Sequence, residues 1–357
     1  MRKLKWRVTY LFLVLCFLFS GCTWRNDPGQ DLFHAFQEQL DLQSNTSEKS
    51  EVILLSHSAT EDRPTHQAAI YFKQQLEKMS DGNLYVEIYP NDTLGNVLDN
   101  ANAFSSGSVQ MRIGLGDNTP LMRLCILAPA LGNLSLSELD TLLQEGELRD
   151  LLEQQYADNG MKLLEVMPAE YRYLACSQAI NQAEDFRYLN LRVPIEQDSG
   201  TYYWRALGAQ ATVVDIKQLR IALQQGTVNA HESTLPVIIG QRLYPYLDYL
   251  IQIPHRVYFD TMIVNLEFFQ SLTAEEQEIM LQAAQQTREY YQMENAAYLT
   301  RNEQILEDYG VQYLSLSPQL EELLRQNCAV YELPEIRKDL GGDLFDEVVG
   351  ILGGPLL

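Results

Sequence analysis

An arginine set in an apolar run, Leu191-Arg192-Val193, is the strongest chemical signal in this chain. A planar guanidinium presents paired N–H donors that meet a carboxylate on two bonds at once, which the point charge of a lysine cannot do. Held in a strand, such a side chain suits a cleft that captures an organic anion. The other reading is a structural ion pair with one of the many Asp or Glu residues. Arg172, in Tyr171-Arg172-Tyr173, is a second candidate cation or part of a surface strand. His57 and Ser58 follow the apolar run Val52-Ile53-Leu54-Leu55, so they fall where open α/β sheets hold ligands, beyond the carboxyl ends of strands. Trp204 and Tyr258 offer an aromatic wall for a ring or an aliphatic chain, or else belong to the core.

Motifs for covalent or phosphoryl chemistry do not occur. There is no GxSxG, no P-loop and no GxGxxG. His231-Glu232 begins like a zinc-protease helix, but one helical turn on stands Leu235, which cannot bind metal. The cysteines, at 16, 22, 125, 176 and 328, form no CxxC pair, and the last three read as small core residues. Nothing in these motifs points to catalytic residues, a metal site or a cofactor.

The elements that must position these groups are α/β. The run at 52–55 has the length and β-branching of a buried strand, and Thr65 is placed to cap a helix carrying Ala69, Phe72, Leu76 and Met79 at spacings of three and four. Asp81-Gly82 stops it, and Leu84, Val86 and Ile88 alternate into a second strand. A helical stretch from about Val97 and a strand at 111–116 follow, an order that predicts a parallel, helix-flanked sheet. A second unit of the same kind comes after about residue 160, with strands at 162–166, 191–194 and 212–214 and a helix over 202–207. Thr273-Ala274-Glu275-Glu276 makes a capping box, and no Gly or Pro interrupts the chain from there to Gly310. A helix of that length must run across both units or break once.

Composition narrows the partners. Lys and Arg number 26 against 48 Asp and Glu, a formal net charge of −22, so the field of the whole chain repels phosphate backbones and excludes nucleic acid as a natural partner. Residues 1–21 read as a secretion signal, with Arg2, Lys3, Lys5 and Arg7 before an apolar run from Tyr10 to Phe19. The run ends in Leu18-Phe19-Ser20-Gly21-Cys22, which resembles a bacterial lipoprotein box, with Cys22 as the lipidated residue. Several acyl chains on one cysteine anchor stably where one is marginal. Residues 22–50, polar and carrying Asn26-Asp27-Pro28-Gly29 and Ser44-Asn45-Thr46-Ser47, read as a tether.

Over about residues 51 to 320 the order of features resembles the DctP-type solute-binding proteins of tripartite ATP-independent periplasmic (TRAP) transporters. The resemblance is carried by His66-Gln67-Ala68-Ala69, by the stretch from Gly82 to Pro90, by Leu94-Gly95 and by Gly107-Ser108-Val109-Gln110. More specific are Phe186 to Pro194, Gly208-Ala209, Ala222 to Glu232, and Leu272-Thr273 leading to Gln277 and Ala283-Ala284.

The resemblance implies an α/β fold of the two-lobed periplasmic-binding type II, with a long helix spanning both lobes and a cleft closing on a carboxylate-bearing ligand. It implies lobe I from 51–170 plus 259–297 and lobe II from 171–258 plus 298–357. Arg192 matches the arginine that pairs with the ligand carboxylate, and Arg172 a second arginine of many members. Ser233 stands where several relatives have a ligand-binding Asn, and Glu232 beside it is taken as ligand-facing. The chain departs from the family at Asn229-Ala230, where Asp-Gly is usual, and at Ser233. The expected partners are a small organic acid or acid sugar, the membrane subunits of a TRAP permease, and a membrane reached through the lipid anchor. On the same fold, the alternative is a ligand-sensing lipoprotein presenting its bound state to a membrane receptor.

Overall fold

The computed structural model describes residues 51–95, 97–115, 119–132, 134–193 and 203–354. The expected signal, the tether and Cys22 lie outside the described residues, as do residues 194–202, with Pro194 of the strand expected at 191–194 and Tyr202 of the helix expected over 202–207. No helix among the described residues is long and apolar enough to cross a membrane.

Among the described residues nine strands make one sheet: β1 (Glu51–Ser56), β2 (Leu84–Tyr89), β3 (Met111–Leu115), β4 (Met161–Cys176), β5 (Asn190–Val193), β6 (Gln210–Val213), β7 (Ala230–Ser233), β8 (Tyr249–Asn265) and β9 (Gln312–Leu314). Their order is β2-β1-β3-β8-β4-β7-β5-β6, with β9 beside β8. β1 is parallel to β2 and β3, and β5 is parallel to β6 and β7. Between these two sets the pairings of β3 with β8, β8 with β4 and β4 with β7 are antiparallel. A parallel sheet is thus the right expectation for each half and the wrong one for the whole, which is mixed. The cause is the length of β4 and β8, 16 and 17 residues, about three times an ordinary strand. They serve both halves. Their register slips three times, most of all where Tyr171 faces Val257 but Tyr173 faces Gln252. Such irregularities bend a strand and re-aim its side chains.

The first helix, Pro64–Met79, buries Ala68, Ala69, Phe72 and Leu76. Thr65 is not its cap. Proline opens the first turn, where its missing N–H costs nothing, and Arg63 stands at the cap position without a side-chain bond. The Thr65 hydroxyl donates instead to Asp260 Oδ2 at 2.7 Å.

The uninterrupted stretch is a single helix, Ala274–Tyr309, with the Thr273–Glu276 capping box formed in both directions and Gly310 left-handed at φ 96° to end it. Its 36 residues span about 54 Å at 1.5 Å each. Met280, Ala283, Ala284 and Tyr291 pack into a core with β1 to β3, while Leu299 and Leu306 pack into another with Leu219, Leu235 and Leu250. The helix therefore runs across both halves without a break. The C-terminal helices Pro318–Tyr331, Leu333–Leu340 and Gly342–Ile351 complete a third core, where Leu320, Leu333 and Phe345 meet Leu121 and Leu152 as well as Leu191 and Trp204.

Candidate functional site

Arg192 lies in β5 between β6 and β7, opposite Thr212 and His231. Leu191 and Val193 point into the core, as their apolar character demands, and Arg192 itself is only 8% exposed. Its Nε donates to the Val214 carbonyl at 2.8 Å, which fixes the plane of the guanidinium. Asn229, the departure from the usual aspartate, holds the start of β5 in place. Its Oδ1 accepts from the Asn190 backbone and its Nδ2 donates to the Tyr188 carbonyl.

Arg172 and Glu232 are brought together, on β4 and β7. Arg172 Nε donates to Glu232 Oε1 at 2.8 Å, and Nη2 donates to the Glu232 carbonyl at 3.3 Å. Glu232 Oε2 accepts from Trp204 Nε1 at 2.9 Å. Trp204 is a core residue at 1% exposure, packed against Tyr203 and Phe186, so of its two readings the buried one holds. Arg256 Nε stands 3.8 Å from Glu232 Oε1, and its Nη2 is ion-paired with Glu332. The two carboxylates beside it raise the Arg256 pKa against the burial that would lower it. Ser233 is buried at the end of β7, opposite Tyr173. His231 lies in a strand, not a helix, which removes the zinc-protease context.

His57 and Ser58 are set apart from this group. They follow β1, separated from β7 in the sheet by β3, β8 and β4. His57 is buried with its Nε2 at 3.0 Å from His66 Nδ1, whereas Ser58 is exposed. Tyr258, half-buried on β8, donates to Asp260 Oδ1 at 3.3 Å. Asp260 also accepts from Thr65 and from Tyr291 of the long helix. Between the two groups sits Glu170 of β4, accepting from the Leu235 N–H at 3.1 Å. Sequence reasoning missed Arg256, Glu332, Asp260 and Glu170. Arg256 carried the same signal as Arg192, an arginine beside valine in a strand-like run. The acids carried none, because nothing local distinguishes them in so acidic a chain.

These buried groups set a pH dependence. Burial, then the neighbouring His66, holds His57 down at about 3 from 6.5, and burial with Arg192 and Arg172 lowers His231. Burial pushes Glu170 up to about 8 and Glu165 up to about 7. Below pH 6.5 the unfolded chain takes up protons that folded histidines refuse, so acidification toward 3 costs stability. The glutamates act oppositely: from 4.5 to about 8 the folded chain keeps protons the unfolded chain has lost, so stability falls as pH rises. Each fully shifted proton contributes up to about 1.4 kcal/mol per pH unit. Below 6.5 the effects oppose each other; above it the glutamates dominate. The melting temperature is expected to fall between pH 6.5 and 8. A melting temperature still rising across that interval would mean that both glutamates are ionised in the folded protein.

Fold and site together define a two-lobed α/β binding protein whose sheet offers a fixed arginine on β5. The model of the bacterial extracellular solute-binding proteins of family 7, DctP, matches residues 55–332, and the chain belongs to this family, that of the TRAP-type solute-binding proteins. A solute-binding protein of Roseobacter denitrificans is 25% identical over 301 residues, 82% of this chain and 90% of its own length. The structure of a TRAP periplasmic solute-binding protein from the same organism, with bound L-galactonate, is similar at a TM-score of 0.70 and 22% identity, covering 86% of this chain and 99% of that one. That of a Haemophilus influenzae TRAP periplasmic solute-binding protein with bound L-gulonate is similar at 0.74 and 21% identity, covering 84% and 98%.

Proposed function

We propose that this protein is a membrane-anchored, extracytoplasmic binding protein that captures a carboxylate-bearing small molecule between its lobes and delivers it to a TRAP-type secondary transporter. Arg192 carries the reading: a buried guanidinium whose orientation is set by Val214, held on β5 between β6 and β7. The acid sugars bound by the Roseobacter and Haemophilus relatives support the ligand class. His57, Ser58, Ser233 and Tyr258 are proposed to line the ligand, with Arg172 and Glu232 acting as a unit. A thermal-shift screen over organic acids, acid sugars, neutral sugars and amines tests the reading. Ligand that binds only the folded state stabilises by RT ln(1 + [L]/Kd), about 2.7 kcal/mol at a hundredfold excess over Kd. Shifts are expected from acids alone. A shift from neutral sugars or amines, with none from any acid, would overturn the proposal.

Anchoring is proposed at Cys22, on the small pair Ser20-Gly21 before it and the polar stretch after it. Cys22→Ser is expected to release the protein from membranes or to block its processing, checked by fractionation and fatty-acid labelling. Wild-type protein that takes no label would remove the anchor.

A further inference from the structure

We propose that Glu170 is a proton-linked latch at the crossing between the lobes: a neutral Glu170 holds them closed, and its ionisation opens them. The inference rests on the reading that the lobes close on a ligand.

Glu170 stands on β4 where that strand leaves one half of the sheet for the other. β3 ends at Leu115, which through Asp260 of β8 is level with Met167 of β4. β7, running the opposite way, ends at Ser233, level with Tyr173. The carboxyl ends of the two sets of strands therefore point at each other, with Glu170 in the gap between them. The register of β4 with β8 slips on both sides of it, between Pro168 and Glu170 and between Tyr171 and Tyr173. A strand bends at such slips, and so this is the place for the lobes to turn. Glu170 is nevertheless only 3% exposed. Its Oε2 accepts from the N–H of Leu235 at 3.1 Å, the first residue of the short helix Leu235–Gly240, which packs with Leu219 and Leu250 in the core of the second half. From the first half, Arg63 and Asp260 face it. Turning the lobes apart separates these groups and lets water reach the carboxyl.

The charges around Glu170 are committed elsewhere. Arg63 of the first helix faces Asp260, Tyr258, Tyr291 and Tyr298 as well, and Arg172 of β4 is bonded to Glu232. β8 brings Tyr258, the register partner, together with Asp260; β4 brings Tyr173 and β9 Tyr313. The long helix, bonded to Ala169 through Asn295, adds Tyr298 against Arg63 and Glu303 against Tyr173 and Tyr313. Burial outweighs the two arginines and, helped by Asp260, pushes Glu170 up to about 8 from 4.5. Opened to water, the carboxyl returns toward its ordinary value. Closed lobes thus keep a proton that open lobes release, and between 4.5 and about 8 rising pH favours opening. From pH 6.5 to about 9 the ratio of closed to open is expected to fall about 30-fold.

Small-angle X-ray scattering on the full chain at pH 6.5 and about 9, with and without galactonate or gulonate, tests the latch. Without either acid the radius of gyration is expected to be larger at the higher pH. Glu170→Gln keeps an acceptor for Leu235 but cannot ionise, and is expected to hold the compact value at both. If that variant does not fold, the wild-type comparison alone decides. A radius that does not change with pH, in a chain that galactonate or gulonate still compacts, overturns the latch and leaves the closing of the lobes standing. A chain compacted neither by acidification nor by either acid overturns both. A pH response that persists in folded Glu170→Gln protein removes Glu170 from the latch and overturns the inference.

Discussion

Replacing Arg192 with alanine is expected to weaken binding of the tightest acid by about 30- to 4000-fold, or about 2 to 5 kcal/mol, in a protein that still folds. The loss is large because a carboxylate enclosed in a water-poor cleft would keep its desolvation cost and lose its counter-charge. Arg192→Lys is expected to recover only part of it, since a flexible ammonium restores the charge but not the fork. The cost to the fold is smaller: the bond from Nε to the Val214 carbonyl is worth about 1 kcal/mol. If Arg192 were instead a structural ion-pair partner, the pattern would invert, with a lower melting temperature without ligand and affinity nearly unchanged. Isothermal titration on both variants, after circular dichroism confirms folding, separates the two. A folded Arg192→Ala protein within about threefold of wild type would take the arginine out of the site.

Glu332→Ala is expected to destabilise the fold by about 3 to 5 kcal/mol, since it strands a buried cation. Glu332 is 4% exposed and Arg256 7%. Without Glu332, Arg256 is left with the carboxylate of Glu232, at 3.8 Å from its Nε. Arg256 would then compete with Arg172 for Glu232, so a loss of affinity is expected beside the loss of stability. Removing both charges behaves differently, because a buried pair replaced by apolar side chains of similar volume is often neutral or better. Arg256→Met with Glu332→Leu is expected to lie within about 1 kcal/mol of wild type by urea denaturation. If the single variant unfolds at the wild-type urea midpoint, the pair contributes little.

What could be read in advance was local. Arg192 stood out because leucine and valine flank it, and the long helix because its capping box and Gly310 mark both ends. Strands β1, β2, β3, β5, β6 and the start of β4 followed from runs of three to six apolar or alternating residues, whereas β7, β8, β9 and the rest of β4 were not read. What escaped was made by pairing across the chain. Glu232 meets Arg172 from 60 residues away, Glu332 meets Arg256 from 76, and Asp260 meets Thr65 from 195. Thr65 shows the limit plainly. Its type and place before an amphipathic stretch argued for a cap, yet Pro64 had already begun the helix and a buried aspartate far along the chain claimed the hydroxyl. Trp204 could be read as wall or core because its indole ring satisfies either; only Glu232 and the packing of Phe186 and Tyr203 decide.

The sharing of β4 and β8 also sets an order of events as the chain is made. β3 is an early segment, yet one of its two neighbours is β8, with Met111 beside Val264. On the other side, β7 needs β4 and β5, which precede it, but β9, helped by β8, waits for residue 314. The β2-β1-β3 half cannot join the rest of the sheet while synthesis stands short of β8, and one edge of β4 stays open until then. Non-local pairing of this kind slows folding and leaves strand edges open in the meantime. A truncated product ending before β8 is accordingly a chain whose sheet is left in two unjoined parts, β2-β1-β3 and β4-β7-β5-β6.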